Sequence, residues 1–314
     1  MMKNKEIHSE ILKELKSVRD FVRYCTSKFY ENEIFLGHGN TEYIDEAIQL
    51  VYSALHLKPV DIDIFLDALV TEDEKTKILD YLNKRIVDRM PLPYITGSAW
   101  LQGLEFIVNS DVLIPRSFIA ELLSQDLFEQ DILNTEPSKI LDMCTGSGCL
   151  GILVALIYPF AEVDGVDISD AAIKIAKLNK DKHNVQNFHP IVSDLFSFNP
   201  DYKYDLIICN PPYVNSVSMQ NLPPEYGYEP QLALAGGEKG MDTIKRFLTE
   251  ALNFTHDNTS IILEIGNEYE YFVKAFPNLH HICLETATTT ESVVFIKGRD
   301  LHDSSKLSKF KTWQ

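Results

Sequence analysis

The residue types best suited to chemistry stand together in Asn210-Pro211-Pro212-Tyr213, directly after the apolar run of residues 205–209. An asparagine side chain offers an acceptor oxygen. Two successive prolines fix φ and remove backbone donors, so the Asn210 side-chain oxygen and the Pro211 carbonyl project as a rigid pair of acceptors. That pair fits a planar NH2 group. Tyr213 follows with an aromatic face that can stack on a flat amide or base. A nitrogen held in this way has its lone pair aimed for in-line displacement on a sulfonium methyl. Positioning of this kind contributes roughly 7 to 11 kcal/mol and needs neither a metal nor a strong base. Adenine N6 and a glutamine side-chain amide satisfy the motif equally.

A second constellation lies upstream. Asp142-Met143-Cys144-Thr145-Gly146-Ser147-Gly148 falls where a predicted strand turns into a helix. Its glycines let backbone approach a ligand, and the helix N–H groups point at it. Asp167, with Ile168 after it, ends the next predicted strand 25 residues beyond Asp142, where a carboxylate can accept both hydroxyls of a ribose. Asp194 ends a third strand and can accept the exocyclic amine of an adenine. Together these features indicate a nucleoside-containing ligand held by Asp142, residues 144–148, Asp167, Ile168 and Asp194, with Asn210 at its reactive end. Gly146-Ser147-Gly148-Cys149-Leu150-Gly151 also matches the dinucleotide spacing G-x-G-x-x-G, so the loop alone does not exclude a hydride-transferring enzyme.

The elements that must position these residues alternate between strand and helix. Strands are predicted at 139–144, 161–167, 188–192, 204–209, 259–264, 280–285 and 292–297, and helices at 147–158, from Ser169 onward, at 239–255 and at 267–276. Alternation of this kind specifies a doubly wound, mainly parallel α/β sheet. The last two strands lack a helix between them, which predicts an antiparallel hairpin at that edge. Upstream, Thr71 and Glu74 form a capping box for a helix carrying Ile78, Leu82 and Ile86 on one face. Residues 8–30 and 43–56 also show helical spacing, interrupted by Gly37-His38-Gly39-Asn40, where His38 reads as a turn residue. Residues 91–115 contain Pro91, Pro93, Gly97 and Gly103, with β-rich pieces at Tyr94-Ile95-Thr96 and 104–108, and suit a linking β-hairpin.

Composition narrows the partners. The 314 residues carry a net charge of -17, which repels a phosphate backbone and disfavours a nucleic-acid substrate. Residues 1–95 hold 13 Lys/Arg against 17 Asp/Glu, a net of -4, which leaves -13 for the remainder. Acidity concentrated on the sheet-forming part suits a basic protein partner. No run approaches 18 apolar residues and the first residues alternate in charge, so a cytoplasmic protein without a membrane span is expected. The five cysteines, Cys25, Cys144, Cys149, Cys209 and Cys283, are scattered and read as reduced core residues. Among the nine histidines only His280 and His281 adjoin, and none stand at i, i+4, so no metal site is expected.

Asn210-Pro211-Pro212-Tyr213 after Asp142…Gly148 resembles the amino-methyltransferases, and residues Glu229–Asp242 are similar to the protein-glutamine branch of that family. Leu113-Ile114-Pro115-Arg116-Ser117 is a further mark of the branch. Cys144–Cys149, Phe35–Gly39 and Glu225–Glu229 resemble the members that act on ribosomal protein L-three; members that act on peptide release factors usually have glycine at the position of Cys144. The resemblance spans roughly residues 17–297. It departs at Phe118-Ile119-Ala120, where Pro-Ile-Gly is expected. It implies S-adenosyl-L-methionine as methyl donor, a glutamine side-chain amide as acceptor and Asn210 to Tyr213 as catalytic residues. It further implies a Rossmann-like methyltransferase domain over 116–298, preceded by a helical substrate-recognition domain over 1–90 and the hairpin linker over 91–115. Residues 299–314 read as a polar tail. A release-factor methyltransferase shares all of this chemistry. An adenine-N6 DNA methyltransferase requires a basic face that the charge balance lacks.

Overall fold

The computed structural model describes residues 13–58, 62–125, 127 and 132–306. The beginning of the first predicted helical stretch and residues 307–314 lie outside them. The chain divides into a helical unit, Met1–Ser98 with Pro223–Tyr228, and a second unit, Ala99–Leu222 with Glu229–Gln314.

In the helical unit, Ser17 and Asp20 cap the helix Val18–Glu31, and Thr71 and Glu74 cap Glu72–Ile86 in the same reciprocal manner. Each box satisfies backbone N–H groups that have no partner within the helix. Tyr43–Ala54 is the third long helix. Their inward faces bury Phe21, Phe29, Leu50, Tyr52, Ile78 and Leu82 in one core, so Phe21 and Phe29 are packing residues. Tyr94, Ile95 and Thr96, predicted as extended, instead belong to a short helix, Leu92–Thr96. Pro91 stands at its N-cap and Pro93 in its first turn, where proline is tolerated, and Gly97 ends it in the left-handed conformation. His38 lies in a bend with its ring 4.7 Å from that of Tyr226.

Arg85 is buried within this unit. Its guanidinium meets Glu46 at 2.7 Å and Glu225 at 3.4 Å, and donates to the Phe35 carbonyl at 2.7 Å. Glu225, fully buried, also meets Arg89 at 2.9 Å and accepts from the Phe35 N–H at 2.9 Å. A buried carboxylate persists only where charge and donors surround it.

The second unit opens with a hairpin, β1 (Ser98–Leu101) and β2 (Leu104–Ile107), turned at Gln102 and Gly103, both at positive φ. Two such residues give the twist that matches paired strands. The main sheet comprises β3 (Lys139–Met143), β4 (Glu162–Asp167), β5 (Phe188–Val192), β6 (Tyr204–Cys209), β7 (Thr255–Glu264), β8 (Ile282–Cys283) and β9 (Val293–Lys297). Their order is β5-β4-β3-β6-β7-β9-β8. The first five run parallel, whereas β9 is antiparallel to both β7 and β8, as the missing crossover helix requires.

Side chains of the central strands alternate between two cores. Ile140, Leu206, Ile208 and Ile262 face the helices Phe118–Leu123, Cys149–Ile157 and Asp170–Lys182, whereas Leu141, Ile207, Cys209 and Leu263 face Asp242–Ala251 and Tyr269–Ala275. Burial on both faces explains why these strands read as continuous apolar runs. Residues 299–306, predicted as the start of a polar tail, belong to the helix Gly298–Lys306, which buries Leu301 in the second core. The position of β3 is decisive for function. Chain order proceeds from it to β4 and β5 on one side and then to β6 on the other, so its carboxyl end is the switch point where open α/β sheets bind ligands.

Candidate active site

Both predicted constellations emerge at this switch point. Met143 and Cys209 are paired across β3 and β6, so the loop that begins at Cys144 and the motif that begins at Asn210 leave adjacent strand ends. A cavity of about 180 Å³ opens there. Of the predicted residues, Cys144, Gly146, Asp167, Ile168, Asp194, Asn210 and Pro212 line it. Asp142, Thr145, Ser147, Gly148, Pro211 and Tyr213 stand behind these and do not line it. A separate hollow of about 610 Å³, bordered by Lys239, Lys245 and Lys274, includes none of the predicted site residues.

The residues behind the cavity hold the loop in place. Asp142, 1% exposed, accepts the Thr145 hydroxyl and, at 2.8 Å, the Gly151 N–H. Burial pushes its pKa up to about 7, against which the Thr145 and Gly151 donors pull it down. Thr145 N–H donates to the Val166 carbonyl at 2.9 Å, which fastens the loop to β4. Asn179, wholly buried, donates to the Ser147 carbonyl at 2.9 Å and exchanges two hydrogen bonds with Ile107 of β2. Gly151 admits the ring of Phe188, which a Cβ would approach to 2.3 Å. That close packing of helix against strand serves any nucleoside-binding βαβ unit, so the match to the dinucleotide spacing carries no choice of cofactor.

On the cavity wall, Asp167 accepts the Gly146 N–H through Oδ2 and the Ser169 N–H through Oδ1, each at 2.9 Å. Burial raises its pKa while these backbone donors oppose the rise. Each oxygen keeps acceptor capacity for a ribose hydroxyl. Asp194 meets Arg246 through both oxygens at 3.0 Å. With side chains 45% and 54% exposed, that pair contributes at most about 1 kcal/mol and yields readily to a competing donor.

The segment beyond Tyr213 is clamped by residues 229–242. Val214 N–H donates to the Leu234 carbonyl at 2.8 Å, and Gly236 N–H returns to the Val214 carbonyl at 2.9 Å. Gly240, at φ +74°, lies so close that a Cβ there would stand 2.1 Å from the Tyr213 carbonyl oxygen. At the far end, Glu229 accepts the Ile114 N–H at 3.1 Å and both guanidinium nitrogens of Arg116, one of them at 2.6 Å. Residues 229–242, noted in the sequence without an assigned role, thus brace the chain at Tyr213 and Val214, and residues 113–117 in turn hold Glu229. Sequence reasoning missed Arg246 and Thr243 on the helix Asp242–Ala251, and Val112, Leu113 and Leu232, all of which line the cavity. It also missed Glu264, which lies outside the cavity but accepts the Tyr213 hydroxyl at 2.9 Å. Leu113 carried a signal through its motif; Arg246 and Glu264 carried none.

Among the described residues no helix is long and apolar enough to cross a membrane. The family model described as "Methyltransferase small domain" matches residues 120–222. A ribosomal protein uL3 glutamine methyltransferase of Bordetella pertussis is 43% identical over 92% of this chain and 97% of its own length. Proteins of the same description from Burkholderia pseudomallei and Bradyrhizobium diazoefficiens are 40% and 39% identical, over 91% and 92% of this chain and 96% and 92% of theirs. With that likeness along nearly its whole length, and with the loop and transfer motif meeting at one cavity, the chain belongs to the family of ribosomal protein uL3 glutamine methyltransferases.

Proposed function

We infer that the protein transfers a methyl group from S-adenosyl-L-methionine to the side-chain amide nitrogen of a glutamine in ribosomal protein uL3 (L-three). The observation that carries this reading is the meeting of the nucleoside-binding loop and Asn210 at one cavity on the switch point. Asp167 would hold the ribose hydroxyls, Asp194 the adenine amine, and Cys144, Gly146 and Ile168 the rest of the donor. The Asn210 side-chain oxygen and the Pro211 carbonyl would accept the two amide hydrogens. Accepting both hydrogens fixes the amide plane and directs the nitrogen at the methyl carbon. As the N–CH3 bond forms, the S–CH3 bond breaks, the sulfonium becomes a neutral thioether and one amide proton passes to solvent. The net charge of -17 favours encounter with a basic protein.

The transfer motif specifies a planar amide and cannot tell one glutamine from another. The helical domain of residues 1–90 is the region we assign to partner choice. The test is to incubate the purified chain with S-adenosyl-L-methionine and either uL3 or a peptide release factor, then map methylation by tandem mass spectrometry. One methylated glutamine in uL3 and none in the release factor is expected. Higher kcat/KM on the release factor would reverse the substrate assignment.

A further inference from the structure

We propose that Glu264 and Ser117 are positioning residues for methyl transfer, holding the phenol of Tyr213 and through it the segment Asn210–Tyr213. The proposal rests on the function inferred above. Cys209 is paired with Leu263, so Glu264 ends β7 beside the strand end that carries Asn210. Glu264 is 1% exposed and does not line the cavity. Burying a carboxylate among apolar neighbours is unfavourable, and here it raises the pKa against the pull of its donors.

The contacts explain its presence. Tyr213 donates its hydroxyl to Glu264 Oε1 at 2.9 Å; Oε2 accepts the Ser117 hydroxyl at 2.5 Å and the Phe118 N–H at 3.0 Å. Donors from two motifs nearly a hundred residues apart in sequence, 113–117 and 210–213, therefore converge on one carboxylate. Ser117 is itself oriented, accepting the Ile119 N–H at 3.2 Å as the cap of the helix Phe118–Leu123. The ring of Tyr213 lies flush on Gly266, which sits at φ +54° and whose Cβ would be 2.3 Å from a ring carbon. The phenol is thus fixed by Glu264 at its oxygen and by Gly266 along its edge. Residues Asn210 to Tyr213 include two prolines, so a fixed ring leaves the intervening backbone little freedom. A group held in this way needs no reordering when substrate arrives, and that benefit appears in turnover.

The test compares the unaltered chain, Tyr213→Phe, Glu264→Gln and the double variant. It measures kcat and KM with uL3, S-adenosyl-L-methionine affinity by calorimetry, and ring-flip rates of Tyr213 by NMR of ring-labelled tyrosine. Glu264→Gln is expected to lower kcat about tenfold while donor affinity and KM change less than about threefold. The double variant should be no slower than the slower single variant, because both remove one link. The ring should flip slowly in the unaltered chain and faster in Glu264→Gln. Full turnover in Glu264→Gln, or losses that multiply in the double variant, overturns the proposal. Absence of transfer by the unaltered chain overturns the substrate assignment instead; fast ring flips in that same chain then overturn the anchoring independently.

Discussion

Replacing Asp167 by asparagine separates the support it gives the loop from the ribose contact proposed for it. In the free protein its oxygens accept the Gly146 and Ser169 N–H groups, each at 2.9 Å. Asparagine has one acceptor oxygen and one NH2, so one of these backbone donors would face another donor. Leaving such a group unpaired costs about 1 to 3 kcal/mol. Relief of the buried charge offsets part of that loss, since burial already raises the pKa of Asp167. Both contributions act with and without cofactor, so they appear in stability and largely cancel in affinity. What remains for affinity is the charge-assisted part of the ribose hydrogen bonds, about 1.5 to 3 kcal/mol, or roughly ten- to hundredfold in Kd. Calorimetric titration with S-adenosyl-L-methionine should show that weakening, and thermal unfolding should show a fall of a few degrees in Tm. A lower Tm with unchanged Kd would reduce Asp167 to a support for the loop. Binding of NAD in preference to S-adenosyl-L-methionine would reject the cofactor reading itself.

Three other substitutions test separate parts of the argument. Asn210→Ala and Asn210→Asp should each lower kcat for glutamine methylation at least about tenfold, the equivalent of about 1.4 kcal/mol, with donor affinity nearly intact; near-normal turnover in Asn210→Ala would return the motif to the status of a turn. Arg85→Met removes the guanidinium that pairs with buried Glu46 and one of the two that meet Glu225, Arg89 being the other, and should destabilise the fold by about 3 kcal/mol in denaturant titration, whereas a loss under about 1 kcal/mol would contradict the network. For Asp142, whose folded pKa is raised from 3.8 to about 7, the native state binds the proton more tightly than the unfolded chain. Ionisation then penalises the fold: the penalty is absent below about pH 4, grows with rising pH and is complete above about pH 7. Asp142→Asn should remove this pH-dependent part, so that its stability relative to the unaltered chain rises by roughly 4 kcal/mol across that window; a flat difference would show that the carboxyl is not penalised.

The sequence disclosed features that depend on neighbouring residues and concealed those that depend on distant ones. Residues 188–192 and 204–209 form the strands their β-branched and apolar residues predict, and Ser169 caps its helix by accepting the Ala172 N–H at 3.2 Å. Asn210 was visible because a strand end and two prolines flank it. Tyr94-Ile95-Thr96 carries β propensity, but Pro91, Pro93 and Gly97 delimit a helical turn that overrides it. The helix Gly298–Lys306 is polar enough to read as a tail, although Leu301 anchors it. Glu264 could not be read at all: its partners Ser117 and Tyr213 lie 147 and 51 residues away, and nothing near Glu264 in sequence marks it. The pairing of Arg246 with Asp194, 52 residues apart, was hidden for the same reason.

Residues Pro223–Tyr228 belong to the helical unit although they lie in sequence within the sheet-forming half. The helical unit is therefore not a transferable cassette. A recombinant that exchanges only residues 1–98 between relatives brings in its own Arg85, Arg89 and Glu46 but keeps the recipient's residue 225. Glu225 contacts both arginines from that separate stretch, 140 residues beyond Arg85. A chimera preserves the charge balance only where the recipient's residue 225 still sets an acid against the two arginines. A substitution at position 225 therefore acts on both Arg85 and Arg89 although it lies outside residues 1–98.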